Sequence, residues 1–156
     1  MPDREILFRG KRLDNGEWVE GYYVHNAAGQ HMMVGGCHDK SYIMTEVDPS
    51  TVCRYTGLPD KHGTEAFVGD IIRYQDTCRT IYGIIRFGMI PNSDNRRKDV
   101  GFFIEWQNDG ANLWGERWRN DLGYWLGQDE NCEVIGNRWD NPELLPPQPG
   151  GEAPRD

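Results

Sequence analysis

The stretch Gly57–Arg73, GLPDKHGTEAFVGDIIR, constrains the fold more than any other part of this chain. It sets three glycines and three acidic residues around two short apolar runs. Asp60-Lys61-His62-Gly63 predicts a reversal, with Gly63 in the left-handed conformation that a Cβ disfavours. Ala66, Phe67 and Val68 then return an apolar edge to the core. Gly69-Asp70 predicts a second reversal, from which IIRYQ leaves as a new strand. Two reversals within a dozen residues let a chain pass from one sheet layer to the next. Small rolls and barrels need such corners. The glycines and aspartates here, Gly57, Gly63, Gly69 and Asp70, therefore read as corner-makers. A catalytic role for Asp70 is the lesser reading, because turn aspartates are common.

The rest of the chain supports short strands. Nineteen glycines in 156 residues imply frequent turns. The apolar fraction of 37% and mean hydropathy of −0.76 are low. The 12% aromatic content, with six tryptophans and seven tyrosines, nevertheless argues for a packed core. The first hairpin is REILFRGKRLDNGEWVEGYYV, turning at Asp14-Asn15-Gly16, where Asn and Gly tolerate positive φ. Trp18, Tyr22 and Val24 share one parity of its second arm. Residues 25–40 read as loop and weak strand, and SYIMTEV as a strand. Asp48-Pro49-Ser50 is a turn with proline presetting φ, and TVCRYTGL a strand.

TIYGIIRFGMI and FFIEWQ form a second hairpin with a long tip, PNSDNRRKDVG, and Gly83 is a candidate bulge. Residues 107–131 support either a short helical turn or an irregular strand. CEVIG is a strand, and Asn141-Pro142-Glu143 starts a short helical turn through an Asn cap and a first-position proline. The expected architecture is mainly β: a small closed or nearly closed β-barrel or roll built from hairpins, with one or two short helical turns. Residues 1–145 form a single β domain, and the Pro/Gly-rich 146–156 a disordered tail.

Three blocks, REILFRGKRLDNGEWVEGYYV, VDPSTVCRYTGLPDKHGTEAFVGDIIR and EVIGNRWDNPELL, resemble in order and spacing the YopX-like family of phage and prophage proteins. The resemblance implies a small, mostly β protein carried by phages, and it supplies no catalytic motif. The positions it marks are Phe8, Gly57, Gly63, Gly69, Asp70, Gly136 and Asn141 to Leu145. The physical reading makes these turn formers, caps and core residues.

A net charge of −8 disfavours binding to nucleic acid and to anionic membranes. No apolar run approaches a membrane span, and MPDREILFRGK lacks the pattern of a signal peptide. The bacterial host cytoplasm is the expected compartment. Cys37, Cys53, Cys78 and Cys132 form no C-x-x-C pair and read as small core hydrophobes. His25, His31, Cys37 and His38 cluster in sequence, but their spacing matches no standard zinc pattern. No metal or cofactor is expected. Arg96, Arg97 and Lys98, with Trp114, Arg117, Trp118 and Arg119, mix cations and aromatics as single-strand binders do. Asp70, Glu105 and Glu116 could serve a hydrolase, but nothing in their spacing forces them together, and no P-loop, G-x-S-x-G or H-E-x-x-H is present. The leading reading is a non-enzymatic phage accessory protein that binds a host or phage protein and forms homo-oligomers. The runner-up is a single-stranded nucleic acid binder, and a third is an undetected hydrolase.

Overall fold

The computed structural model describes residues 7–38, 41–90, 99–107, 122–127 and 131–145. Two compact units divide the chain, Met1–Gly57 and Leu58–Arg155. Within the described residues the protein is mainly β, with two antiparallel sheets ordered β4-β3-β2-β1-β5-β6 and β10-β7-β8-β9. Each sheet is open. The expectation of closure is met only loosely, because the corner turns pass the chain between sheets without joining their edges into a barrel.

In the first unit, β1 (Phe8–Lys11) and β2 (Trp18–His25) form the first hairpin. Its turn holds Gly16 at φ +73°, and Asn15 Oδ1 accepts the Glu17 N–H at 2.9 Å. Residues assigned to loop and weak strand build β3 (His31–His38), which pairs with β2 and with β4 (Ser41–Glu46). What makes β3 possible is the Asn26–Gln30 turn. Asn26 Oδ1 accepts N–H groups from Ala28 and Gln30, and Gly29 sits at φ +81°. Pro49–Thr51 is a 3-10 turn capped by Asp48, whose Oδ1 accepts the Ser50 N–H at 3.0 Å. β5 (Cys53–Pro59) follows and pairs with β1. Opposed residues of an antiparallel pair lie on one face. Gly10, Met33 and Val47 form the inner face, and Met33 and Val47 are fully buried. A Cβ on Gly10 would lie 3.3 Å from Val47 and Val52, so glycine is what lets these side chains approach the β1 backbone.

The second unit begins at the corner. Gly63 lies at φ +82° and Asp60 N–H bonds Thr64 O at 2.8 Å, closing the first reversal. β6 (Glu65–Phe67) adds to the six-stranded sheet, and Gly69, at φ +92°, sends the chain into β7 (Asp70–Gln75) of the four-stranded sheet. Asp70 Oδ2 accepts the Phe67 N–H at 2.8 Å across this turn. The change of sheet expected of the punctuated stretch is therefore realised.

β8 (Thr80–Met89) pairs with β7 and with β9 (Val100–Trp106), as the second hairpin requires, and β10 (Cys132–Asn137) flanks β7. Residues 91–98 of the second hairpin's tip and the Pro/Gly-rich tail lie outside the described residues, while Val100 and Gly101, expected in the tip, belong to β9. The helix α1 (Leu122–Gly127) buries Leu122, Trp125 and Leu126, an i, i+3, i+4 stripe. Trp125 meets Tyr74, Trp106 and Tyr124 edge-on at 5.1–5.5 Å between ring centroids. This aromatic cluster packs with Ile72, Ile81, Ile85 and Ile104 as the core of the second unit.

One local expectation needs correction and another is met in part. Gly83 is not a bulge: it pairs in register with Ile72 and Trp106. An added Cβ would lie 2.4 Å from Ile104 Cγ2, so the glycine is there for close packing. Asn141 stands at the N-cap of the expected helical turn, the 3-10 turn Pro142–Leu144 with Pro142 in its first turn, but its side chain makes no capping bond. Its Oδ1 instead accepts the Asn137 N–H at 3.2 Å, bracing the end of β10.

Candidate functional site

The acidic residues of the corners are occupied by the backbone. Asp60 is buried and receives three main-chain donors: His62 and Thr64 N–H on Oδ1, both at 2.9 Å, and Val134 N–H on Oδ2 at 3.0 Å. Burial pushes its carboxyl up, but the donors of Val134, Thr64 and His62 outweigh that and hold it below the ordinary value. Asp76 closes the β7–β8 turn in the same way, accepting the Cys78 and Arg79 N–H groups. The Cys78 N–H is the main cause of its lowered pKa, with Tyr74 and Arg79 side chains adding to it against burial. Glu133 lies between Arg73 and His62. Hydrogen bonds from those two side chains, Arg73 first, lower its pKa despite burial.

Of the hydrolase candidates, Asp70 is buried against the Phe67 N–H and Glu105 is exposed in a 3.0 Å ion pair with Arg86. Glu116 lies outside the described residues. Among the described residues no three His, Cys, Asp or Glu side chains gather as a metal set. The described acids Asp60, Asp70, Asp76, Glu105 and Glu133 are thus engaged in turn and ion-pair chemistry.

What stands out instead is an apolar surface on the first unit. The register sets Tyr22, Val34 and Met44 in one row across β2, β3 and β4, and Val24, Met32 and Glu46 in the next. These rows are on the face opposite Met33. Tyr22 and Met44 are each 57% exposed and Val24 is 40% exposed, while Met32 and Val34 are half-buried. At one edge of the same face Trp18 carries Arg9 and Lys11 over its ring, at 4.6 and 5.3 Å. An antiparallel sheet with one face in water ordinarily turns polar side chains outward. Contiguous exposed apolar side chains of this kind make the face a candidate contact surface.

A second apolar stripe runs along the β8–β9 hairpin of the other unit. Ile85 and Ile104 pair in the core, Phe87 and Phe102 pair next to them, and Met89 and Val100 pair beyond. Exposure reaches 52% at Phe87, 61% at Met89 and 66% at Val100.

The binding candidates Arg96, Arg97, Lys98, Trp114, Arg117, Trp118 and Arg119 all lie outside the described residues. The turn and cap candidates Gly16, Gly57, Gly63 and Gly69 have positive φ, and Pro142 occupies the first turn of its 3-10 helix. Cys53 and Cys132 are buried, as expected of core thiols, but Cys78 is exposed in the Asp76 turn. The side chains of Cys37 and His38 lie outside what the structure describes. Sequence reasoning missed the Trp18 cluster and the β2–β4 face. The shared parity of Trp18, Tyr22 and Val24 was visible, but not that water lies on that side. Among the described residues no helix is long and apolar enough to cross a membrane.

The fold is similar to the crystal structure of protein EF1440 from Enterococcus faecalis, with a TM-score of 0.49 and 22% identity over 91% of this chain and 99% of that one. No curated protein matches the sequence. The profile described as YopX protein matches residues 7–146, which include every strand among the described residues and most of each unit. The chain belongs to the YopX family.

Proposed function

We propose that this chain is a non-enzymatic binding module of phage or prophage origin, acting in the bacterial host cytoplasm on a protein partner and associating with itself. The observation that supports it is the exposed apolar face of β2, β3 and β4 around Tyr22, Val24 and Met44. Covering such a face removes apolar area from water, worth about 25 cal/mol per Å² before the costs of association. The corner carboxylates favour the same reading, since Asp60 and Asp76 are held as acceptors by backbone N–H groups.

Light scattering on a sizing column tests self-association. The wild-type mass should rise above 18.0 kDa with concentration. Tyr22→Ser with Met44→Ser should return it to the monomer value. A wild-type monomer at every concentration removes self-association from the proposal. Affinity capture from infected host cells, run beside the double variant, tests the partner. A protein retained equally by both does not use this face.

The Trp18 edge favours a second reading, single-stranded nucleic acid binding. Arg9 and Lys11 over an indole, with the exposed Tyr22 farther along the same face, combine the charge and stacking such ligands use. Oligonucleotide affinity should then fall with salt and with Trp18→Ala. No binding at low salt removes this reading.

A further inference from the structure

The Asn26–Gln30 turn sets His25 directly opposite His31 at the mouth of the β2–β3 hairpin. The turn is braced from both sides. Asn26 N–H donates to Gln30 O at 3.1 Å, Gln30 N–H to Asn26 Oδ1 at 2.9 Å, and Asn26 Nδ2 to Gln30 Oε1 at 2.8 Å. Hydrogen-bonded and non-hydrogen-bonded pairs alternate along an antiparallel ladder. The pair next to Asn26 and Gln30 is therefore of the non-hydrogen-bonded kind, in which side chains stand closest. The imidazoles lie 4.5 Å apart between centroids, 12° from parallel. His25 is exposed and His31 half-buried, so water and ions reach the pair from the hairpin mouth.

Tyr23 adds the orientation. Its hydroxyl is hydrogen-bonded to His31 Nδ1, and its ring stacks on His31 at 5.8 Å and 9°. In the tautomer whose Nδ1–H donates to the Tyr23 oxygen, His31 presents the Nε2 lone pair outward, and a bound ion selects that tautomer. This is how ligating histidines are ordinarily oriented. Phe8 supports Tyr23 from behind, 6.1 Å away. The result is one imidazole positioned by a second side chain and another, exposed and stacked on it, that turns out of the stack to bring its nitrogen to the same ion.

We propose that His25 and His31 chelate a borderline divalent transition ion such as Zn²⁺ or Ni²⁺, with Tyr23 as the positioning residue. Water fills the remaining coordination positions. Imidazole nitrogen suits such ions and does not suit Mg²⁺ or Ca²⁺. The proposal is independent of the binding role given above. It narrows the sequence-level set of His25, His31, Cys37 and His38 to the two side chains the register brings together.

The test is thermal unfolding of the full chain with Zn²⁺, Ni²⁺ or Mg²⁺, because an ion that binds only the folded protein raises Tm with its concentration. Zn²⁺ and Ni²⁺ should raise Tm and Mg²⁺ should not. His25→Ala and His31→Ala should each abolish the rise. Tyr23→Phe keeps the ring and both ligands but removes the oxygen, and should weaken the apparent affinity by about tenfold. Should either alanine variant unfold, the side-chain NMR signals of the wild type decide. Ni²⁺ should broaden the His25 and His31 rings and spare His62, which is bound to Glu133 at 3.0 Å. No metal-dependent shift in the wild type, or an undiminished shift in both alanine variants, overturns the proposal.

Discussion

Replacing Asp60 with alanine tests whether the corner is held by its carboxylate. Three backbone N–H groups lose their acceptor at once: His62, Thr64 and Val134. A hydrogen bond to a charged group contributes about 1.5–3 kcal/mol, but the three losses do not simply add. The His62 side chain is 60% exposed, and water can replace the acceptor at the turn end. The Val134 donor sits in β10, half-buried, and is the one left stranded. One stranded donor at about 2 kcal/mol plus a weakened turn at about 1 kcal/mol gives a loss near 3 kcal/mol.

Urea unfolding reads this directly. With a slope of about 2 kcal/mol per molar, the midpoint should drop by about 1.5 M. Asp60→Asn keeps the shape, loses the charge and turns an NH₂ group toward one donor, so a drop near 1 M is expected. Hydrogen exchange at the Val134 amide should accelerate in both variants. A midpoint within about 0.3 M of wild type for Asp60→Ala would refute the reasoning, since that is the size of an ordinary surface change.

The remaining predictions concern the same scaffold. Gly63→Ala meets open space at φ +82° and should lose about 1–2 kcal/mol by urea unfolding. Gly69→Ala places a Cβ 2.5 Å from the Trp139 ring at φ +92° and should lose at least about 1 kcal/mol more. Asp60, Asp76 and Glu133 all have lowered pKa values in the folded protein, from ordinary values of 3.8 for the aspartates and 4.5 for the glutamate. Their contribution is complete above those values and is lost as pH falls through the lower folded ones. The urea midpoint should hold steady from pH 7 to about 5 and decline below about 4, less steeply in Asp60→Ala. Trp125→Ala removes the ring shared by Tyr74, Trp106 and Tyr124 and should lose about 3–5 kcal/mol, read by loss of near-ultraviolet circular dichroism and a lower urea midpoint.

The parts of the fold that were legible in the sequence are those decided within a few residues. Gly63 and Gly69 announce positive φ because a Cβ resists it, and Asp48 beside Pro49 announces a 3-10 turn because its carboxylate reaches two residues along. Where two local patterns compete, the reading holds only in part. Asn141-Pro142-Glu143 has the form of a helix cap, yet the Asn141 side chain turns back to the Asn137 N–H, while Asn137 Oδ1 accepts from Trp139 and Asp140. α1 carried its signal in the spacing of Leu122, Trp125 and Leu126, but Gly123 and Gly127 lower helix propensity enough to hide it. The candidate site was the least legible part. That Tyr22, Val34 and Met44 share a row depends on register across three strands, and register is a nonlocal property.

The disposition of the acids also changes what the net charge says about the ligand. A total of −8 counts Asp60 and Asp70 like surface acids, yet both are buried against backbone N–H donors. Net charge therefore speaks to solubility and long-range steering more than to any one face. On the β2–β4 face the charges are unevenly placed. Arg9 and Lys11 sit at the Trp18 edge, with one acid, Glu20, opposite Arg9, and Glu46 ends the row of Val24 and Met32 at the other. A single-stranded polyanion would settle at the Trp18 edge and keep clear of Glu46. A protein partner or a second copy would instead cover the apolar rows between them, where Tyr22 and Met44 stand out. Trp18→Ala and Met44→Ser consequently separate the two readings: the first should abolish oligonucleotide binding alone, and the second should weaken protein association alone.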